Sequence, residues 1–402
     1  MKLEVIKGGL CAVKGVRAYG LKEGSKGLAL IEGKGTAAGT FTSNKLRAAP
    51  VRFTKQQLER GKISAIIANS GCANSFTGER GMMNAAKMAE LAATFLGLDK
   101  DEVAVASTGP IGVQLDMGLI ERQLEVVVNG LTPEEGGSTA AAKAIMTTDS
   151  FHKETAIRID TGDTGTDERI VIGGIAKGSG MIAPHMTTAT MLSFIYTDAE
   201  LEGDVLSGSL GYAVDHSFNM TVVDGDMSTN DMVVLVATGK SGKISEADFK
   251  TGLTYVCQEL AKLIARDGEG ATKFIEVRVK GAPSVSDARE AARAIVRSPL
   301  VKSAIFGERP DFTCGRIIAA VGSTGIARDL DLSGISIRLK SDSEVLAVNN
   351  GEFMDLTGSA REIMKGKEIF IDVDLGTRGE AEATAWGCDL SYDYVKINAG
   401  EH

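Results

Sequence analysis

The 402-residue chain carries 44 Lys and Arg against 53 Asp and Glu, a net charge of −9 with no dense basic run. This argues against nucleic acid or an anionic membrane surface as partner, and no stretch of about 18 consecutive apolar residues is present to cross a bilayer. Apolar residues at 43%, charged residues at 24% and 48 Gly against 7 Pro predict a globular chain with many tight turns and close backbone approaches.

The first residues, MKLEVIKGGLCAVKGVRAYG, place charges at Lys2, Glu4 and Lys7 and contain no apolar core of a signal peptide. KISAIIANSG (Lys62–Gly71) is a β-branched apolar run ending in turn residues, which predicts a buried strand. The Ala- and Met-rich MMNAAKMAELAATFLG after Gly81 predicts a helix. EVAVASTG (Glu102–Gly109) predicts a strand ending in a turn, and RIVIGGIAKGSG and TMLSFIYTDA two more core strands. SEADFKTGLTYVCQELAKLIARDG is the clearest helix, with Phe249, Leu253, Val256, Leu260 and Ile264 on one face and Ser245 and Asp248 spaced as a capping box. KFIEVRVKG alternates as a strand does, SVSDAREAARAIVRSPLV predicts one helix, and GRIIAAVGSTG and EIFIDVDLG predict strands. Mixed strands and helices without an internal repeat point to α/β or α+β layers.

Few local motifs carry chemistry. GKGTAAG (Gly33–Gly39) misses the spacing of a dinucleotide fingerprint and reads as a plain turn. DGDMSTND (Asp224–Asp231) lacks the Gly and Glu of a calcium loop and reads as a polar turn. STGPIG (Ser107–Gly112) follows a strand, where backbone N–H groups can face an oxyanion. Five scattered cysteines, Cys11, Cys72, Cys257, Cys314 and Cys388, form no C-x-x-C and read as reduced thiols of a cytoplasmic protein. His152, His185, His216 and His402 are equally scattered, so no metal is expected. No Ser/His/Asp triad suggests itself, and a hydroxyl nucleophile therefore needs another base. One solution is a threonine made N-terminal by cleavage and activated by its own α-amine. The threonine-rich stretch APHMTTATMLSFIYTDAE (Ala183–Glu200) is the place for it, although composition alone favours a turn entering a strand.

Several motifs arrive together and in order: GTFTSNKLRAAPV, ANSGCANSFTG, STGPIG, IMTTDSFHKE, KGSGMIAP with ATMLSFIYTDA, SFNMTVVDGDMSTND, DGEGATKFIEV, GRIIAAVGSTG and CDLSYDYVKINA. By these the chain resembles the ornithine acetyltransferase (glutamate N-acetyltransferase) family of arginine biosynthesis over nearly its whole length. The resemblance implies an N-terminal-nucleophile-like αββα sandwich. It also implies self-cleavage between Ala189 and Thr190, giving an α chain of residues 1–189 and a β chain of residues 190–402 that form one intertwined catalytic unit. Thr190 would then be nucleophile and, through its new α-amine, general base. The implied reaction is ping-pong transfer of acetyl from N²-acetylornithine to glutamate, with Thr108 and Gly109 as the oxyanion hole.

For substrate binding the resemblance implies Thr147 or Thr148, with Thr148 favoured, Lys177 on a substrate carboxylate, Glu269 on the amine side, and Asn398 closing the pocket. It further implies an α₂β₂ assembly and no cofactor; no motif decides whether acetyl-CoA also serves as donor. The chain departs from the family pattern at His185, at the extra Thr187 and Thr188 ahead of the scissile bond, and at the INAGEH ending. Ser75 and Phe76 replace a common Ala-Cys pair, a change expected to affect packing more than chemistry. Two other readings compete: an N-terminal-threonine amidohydrolase or aminopeptidase, in which water accepts the acyl group, and a non-catalytic binding protein, which would not be cleaved.

Overall fold

The computed structural model describes residues 2–160, 169–183, 191–328, 330–356, 358–377 and 379–400. In chain order the described strands are β1 (Lys2–Ile6), β2 (Arg17–Glu23), β3 (Lys26–Phe41), β4 (Lys62–Ser70), β5 (Val103–Thr108), β6 (Lys153–Asp160), β7 (Arg169–Lys177), β8 (Leu192–Thr197), β9 (Thr221–Val222), β10 (Met232–Ala237), β11 (Phe274–Ala282), β12 (Ser336–Lys340), β13 (Glu344–Asn349), β14 (Glu352–Phe353), β15 (Glu368–Asp374) and β16 (Ala381–Cys388). The described helices are α1 (Ala49–Leu58), α2 (Gly78–Leu96), α3 (Met117–Gly130), α4 (Glu135–Ala144), α5 (Gly203–Asp215), α6 (Glu246–Arg266), α7 (Val285–Arg297), α8 (Pro299–Phe306), α9 (Pro310–Gly322), α10 (Ser359–Met364) and α11 (Tyr392–Ala399). The fold is mixed α/β.

Two compact units interleave along the chain. One comprises Met1–Gly178, Pro184–Asn219 and Met227–Leu260, the other Ser179–Ala183, Met220–Asp226 and Ala261–His402. The first is built on a sheet in the order β1-β6-β7-β8-β10-β3-β4-β5, with β2 also paired to β3. Strands β4, β5, β7, β8 and β10 are buried on both faces, so they read as continuous apolar runs with no polar alternation; eight of the nine residues of β7 are buried. Leu28, Leu30, Ala65, Ile67, Val103 and Val105 pack with the α2 and α3 residues Met88, Ala92, Leu124 and Val127. Their neighbours Ala29, Ile31, Ile66, Ala68, Ala104 and Ala106 join a second core with Ala141, Phe194, Tyr196 and Val234.

The second unit carries a sheet in the order β14-β13-β12-β15-β11-β16-β9. Here alternation is visible: β15 buries every second residue, Ile369, Ile371 and Val373.

Three expectations are corrected. GKGTAAG is not a turn but lies inside β3, whose register slips between Glu32 and Gly35. The predicted single helix over SVSDAREAARAIVRSPLV is two, α7 and α8. Pro299 disfavours helical backbone at Ser298, which sits at φ −67° and ψ 114°, and the Ser298 hydroxyl then caps α8 by accepting from the Val301 N–H at 3.3 Å. GRIIAAVGSTG is not a strand: from Gly315 to Gly322 it forms the last two turns of α9. Proline at its N-terminus opens that helix, and burial of Thr313, Cys314, Ile317, Ala320 and Val321 follows the helical period. The capping residue expected before α6 is present, with Ser245 Oγ accepting from the Asp248 N–H at 3.1 Å.

Candidate active site

Lys177 ends β7 and is buried, 4% exposed, so it is no solvated loop lysine. Its anchor is Asp149, which closes the TTD motif. One carboxylate oxygen accepts from Lys153 Nζ and from the Gly178 N–H, each at 2.7 Å. The other accepts from the Thr147 N–H at 2.9 Å and lies 4.0 Å from Lys177 Nζ. Burial alone would raise the Asp149 carboxyl, but the charges of Lys177 and Lys153 outweigh it and hold the group well below the usual carboxylate range. Lys22 joins from β2, bonding the Met146 carbonyl and the Ser70 hydroxyl. Burial lowers its ammonium, Lys177 adds to that effect, and Asp149 opposes it. Thr148 beside this cluster is exposed.

Lys177 pairs with Leu192 at the start of β8. Ala189 and Thr190 themselves fall outside the described residues, as do His185, Thr187 and Thr188. Met191 is buried, and its carbonyl accepts from the Met232 N–H at 3.1 Å. Two residues before Met232, Asn230 donates through Nδ2 to the Ser107 carbonyl at 2.8 Å and the Ala73 carbonyl at 2.6 Å. A chain of hydrogen bonds therefore links the residue after Thr190 to the turn that holds Thr108 and Gly109. That turn is further pinned by Ser107 Oγ donating to Asn69 Oδ1 at 2.6 Å and by the Cys72 N–H donating to the Thr108 carbonyl at 3.1 Å. Gly109 sits at φ +135°, and a Cβ there would lie 2.5 Å from Cys72 N, so only glycine fits. Close by, Ser75 is buried with its hydroxyl donating to Thr229 Oγ1 at 2.8 Å, in keeping with a packing role. Phe76 is not a packing residue: it is 83% exposed at φ +57°.

Within the second unit, Glu269 follows α6. Its N–H donates to the Ser179 carbonyl at 3.0 Å, and its carboxylate accepts from Asn398 Nδ2 of α11 at 2.8 Å. Asn398 also donates to the Tyr394 carbonyl at 3.0 Å. Asp224 accepts from the Met181 and Ile182 N–H groups at 2.6 and 2.9 Å. Burial, then the charges of Asp224, Glu269 and Asp226, push the Tyr394 phenol above its ordinary range. This end of the unit is acidic, which suits a substrate ammonium. Among the described residues no group of three or more His, Cys, Asp and Glu is disposed to hold a metal ion, and no helix is long and apolar enough to cross a membrane.

The ArgJ family model matches residues 13–400. The chain belongs to the ArgJ family. It is 50% identical over 404 residues to a glutamate N-acetyltransferase of Methanosarcina mazei, with 99% of each chain covered. It is 45% identical to the arginine biosynthesis bifunctional protein ArgJ of Symbiobacterium thermophilum, covering 98% of this chain and 99% of that one. A solved chain of the ArgJ bifunctional protein from Bacillus halodurans is 41% identical, matching 52% of this chain and all of its own length at a TM-score of 0.48.

Of the residues singled out by motif, Glu269 and Asn398 are in direct contact, and Lys177 stands beside the TTD loop that holds Thr148. Thr108 and Gly109 are joined to the start of β8 through Asn230. Asp149, Lys153 and Asn230 had no role assigned from sequence. Each is one polar letter among several inside a recognised motif, and only its burial and its partners distinguish it from a surface residue.

Proposed function

We propose that this chain is a self-processing acetyltransferase of arginine biosynthesis that moves acetyl from N²-acetylornithine to glutamate. The observation that carries the reading is the end-to-end 50% identity to a glutamate N-acetyltransferase, on a chain that carries Thr108, Gly109, Lys177, Thr190, Glu269 and Asn398 in their motifs. Cleavage of Ala189–Thr190 would free an α-amine titrating near 7.7–8, a base available at neutral pH. That amine takes the Thr190 hydroxyl proton as Oγ attacks the acetyl carbonyl. The oxyanion is held by the Thr108 hydroxyl and the Gly109 N–H. Collapse breaks the amide C–N bond, the α-ammonium returns the proton to the departing amine, and ornithine leaves. Glutamate's neutral amine then attacks acetyl-Thr190, giving a proton to the α-amine; the acyl C–Oγ bond breaks, Thr190 Oγ takes that proton back, and N-acetylglutamate leaves. Lys177 holds a substrate carboxylate, Glu269 the ornithine side-chain ammonium, and Asn398 steadies Glu269. Two processed chains of each kind would assemble as α₂β₂. The reaction as written needs no cofactor, and acetyl-CoA is an alternative donor to be tested in the same assay. A cytoplasmic location accords with the pathway.

The test is turnover of N²-acetylornithine with and without glutamate. Ornithine release that requires glutamate and yields N-acetylglutamate supports the reading. Equal release into water alone would make the chain an amidohydrolase, and no release would leave a binding protein. The acidic end offers a sharper check. A Cβ at Gly180 would lie 2.3 Å from the Glu269 carboxylate, the movable end of a flexible side chain. Gly180→Ala should therefore displace Glu269 at little cost in stability. KM for N²-acetylornithine should rise about tenfold, equivalent to about 1.4 kcal/mol, with the melting temperature nearly unchanged. An unaltered KM would remove Glu269 from the donor site.

A further inference from the structure

The GKGTAAG stretch is not used by the acyl-transfer reading, yet it borders a cavity. One edge of β3 is shared end to end by two strands. β2 pairs as far as Arg17–Glu32, and β10 begins at Ala237–Thr36. Between them Gly33, Lys34 and Gly35 have no strand partner on that edge. On the opposite edge the same residues form a bulge against Ser64, because Glu32 pairs with Ala65 and Gly35 with Ile63. Gly35 lies tight against β10, where a Cβ would sit 2.0 Å from the Ala237 carbonyl oxygen. Glycine inside a strand marks a close approach by another backbone or a ligand.

The gap opens into a cavity of about 730 Å³ within the first unit, the size of a small-molecule site. Arg17, Lys34, Lys62 and Lys240 line it against two acids, Glu32 and Glu200. Arg17 is paired with Glu32, and Lys34 with Glu102 outside the lining at 3.2 Å. Lys62 and Lys240 have no ion-pair partner among the described residues, so the lining keeps an excess of positive charge. Beneath Gly33 the Tyr196 ring is fully buried, its hydroxyl without a hydrogen-bond partner among the described residues. The cavity flanks the Ala237 end of β10, which pairs with Thr197 at the far end of β8 from Leu192. At about 3.3 Å per residue, that places it roughly 17 Å along the strand from Leu192.

We propose that this cavity is a second ligand site, taking a small organic anion by its carboxylate or phosphate group between Lys62 and Lys240. Thermal unfolding is measured at constant ionic strength against citrate and, separately, inorganic phosphate, for the wild type and for Lys62→Gln/Lys240→Gln. The wild type should show a saturable rise in melting temperature, and the double variant an apparent Kd at least tenfold weaker. A response to citrate alone identifies a carboxylate ligand, and a response to phosphate alone a phosphorylated one. No saturable rise with either probe overturns the proposal, as does a rise undiminished in the variant, which would put the anion elsewhere. Lys240 is exposed, so Lys240→Gln alone repeats the test should the double variant fold poorly. Because the readout is unfolding, the outcome does not depend on the acetyl-transfer reading.

Discussion

Thr190→Ala is expected to leave one uncut chain and to lower acetyl transfer by about 10⁴-fold or more, the scale of loss when a covalent nucleophile is removed. Under the proposed mechanism one hydroxyl serves two reactions. It attacks the Ala189 carbonyl during processing, then the acetyl carbonyl in every turnover, and alanine can do neither. Thr190→Ser restores a hydroxyl at the same position and should process and turn over, with a rate on the order of tenfold lower. The rival threonines are tested by Thr187→Ala/Thr188→Ala, which should leave processing intact. Denatured mass and N-terminal sequencing read the result: the wild-type fragment should begin Thr-Met-Leu-Ser-Phe. Cleavage that persists in Thr190→Ala, or that starts at residue 187 or 188, sinks the assignment. In the processed enzyme kcat/KM should climb as pH rises through about 7.7–8, where the α-amine loses its proton and becomes a base.

Asp149→Asn is expected to damage both stability and activity. Lys153 and Asp149 have fully buried side chains at 2.7 Å, and Lys177 is nearly as enclosed. Removing the carboxylate leaves two ammonium groups in a poor environment for charge. Breaking a buried pair in this way typically costs about 3–5 kcal/mol, measurable as a lower urea midpoint. Removing both partners in Asp149→Asn/Lys153→Met should cost less than the sum of the single changes, because no orphaned charge remains at residue 153. Activity should fall on the order of 10²-fold, since Asp149 also holds the Gly178 N–H and a misplacement of about 1 Å can cost that much.

The pH dependence of this effect has a definite sign. The folded-state pKa of Asp149 is depressed, so its contribution is complete above the unfolded carboxylate value of about 3.9 and is lost as pH falls towards the folded value. The stability gap between wild type and Asp149→Asn should therefore stay flat from pH 7 to 5 and close only below about pH 4. A gap that closed near neutrality would mean that some other group carries it.

Much of the architecture was legible from local pattern. Lys62–Ser70, Val103–Thr108, Arg169–Lys177 and Leu192–Thr197 are apolar, β-branched runs ended by turn residues, and all four are strands. The Phe249, Leu253, Val256, Leu260 and Ile264 stripe is a helix face buried as its spacing requires. Pattern failed where a short apolar or glycine-rich window was judged without its surroundings. IIAAV suits a strand by composition, but Pro310 opens a helix upstream and burial falls every three to four residues. GKGTAAG looks like a turn, yet its glycines let β3 run on past a bulge between three neighbouring strands.

The candidate site divides in the same way. Sequence by itself determined the family, because its motifs arrive together and in order along one chain, and that resemblance is what puts forward Thr108, Gly109, Thr148, Lys177, Thr190, Glu269 and Asn398. It could not determine what holds them in place. Asp149 lies 28 residues before Lys177, and Asn230 lies 123 residues after Ser107. Nothing local couples such pairs. They meet because β6 pairs with β7, setting Lys153 opposite Ala176, because β10, β3, β4 and β5 follow one another in the same sheet, and because burial of Asp149, Lys153 and Asn230 obliges each polar group to find a partner.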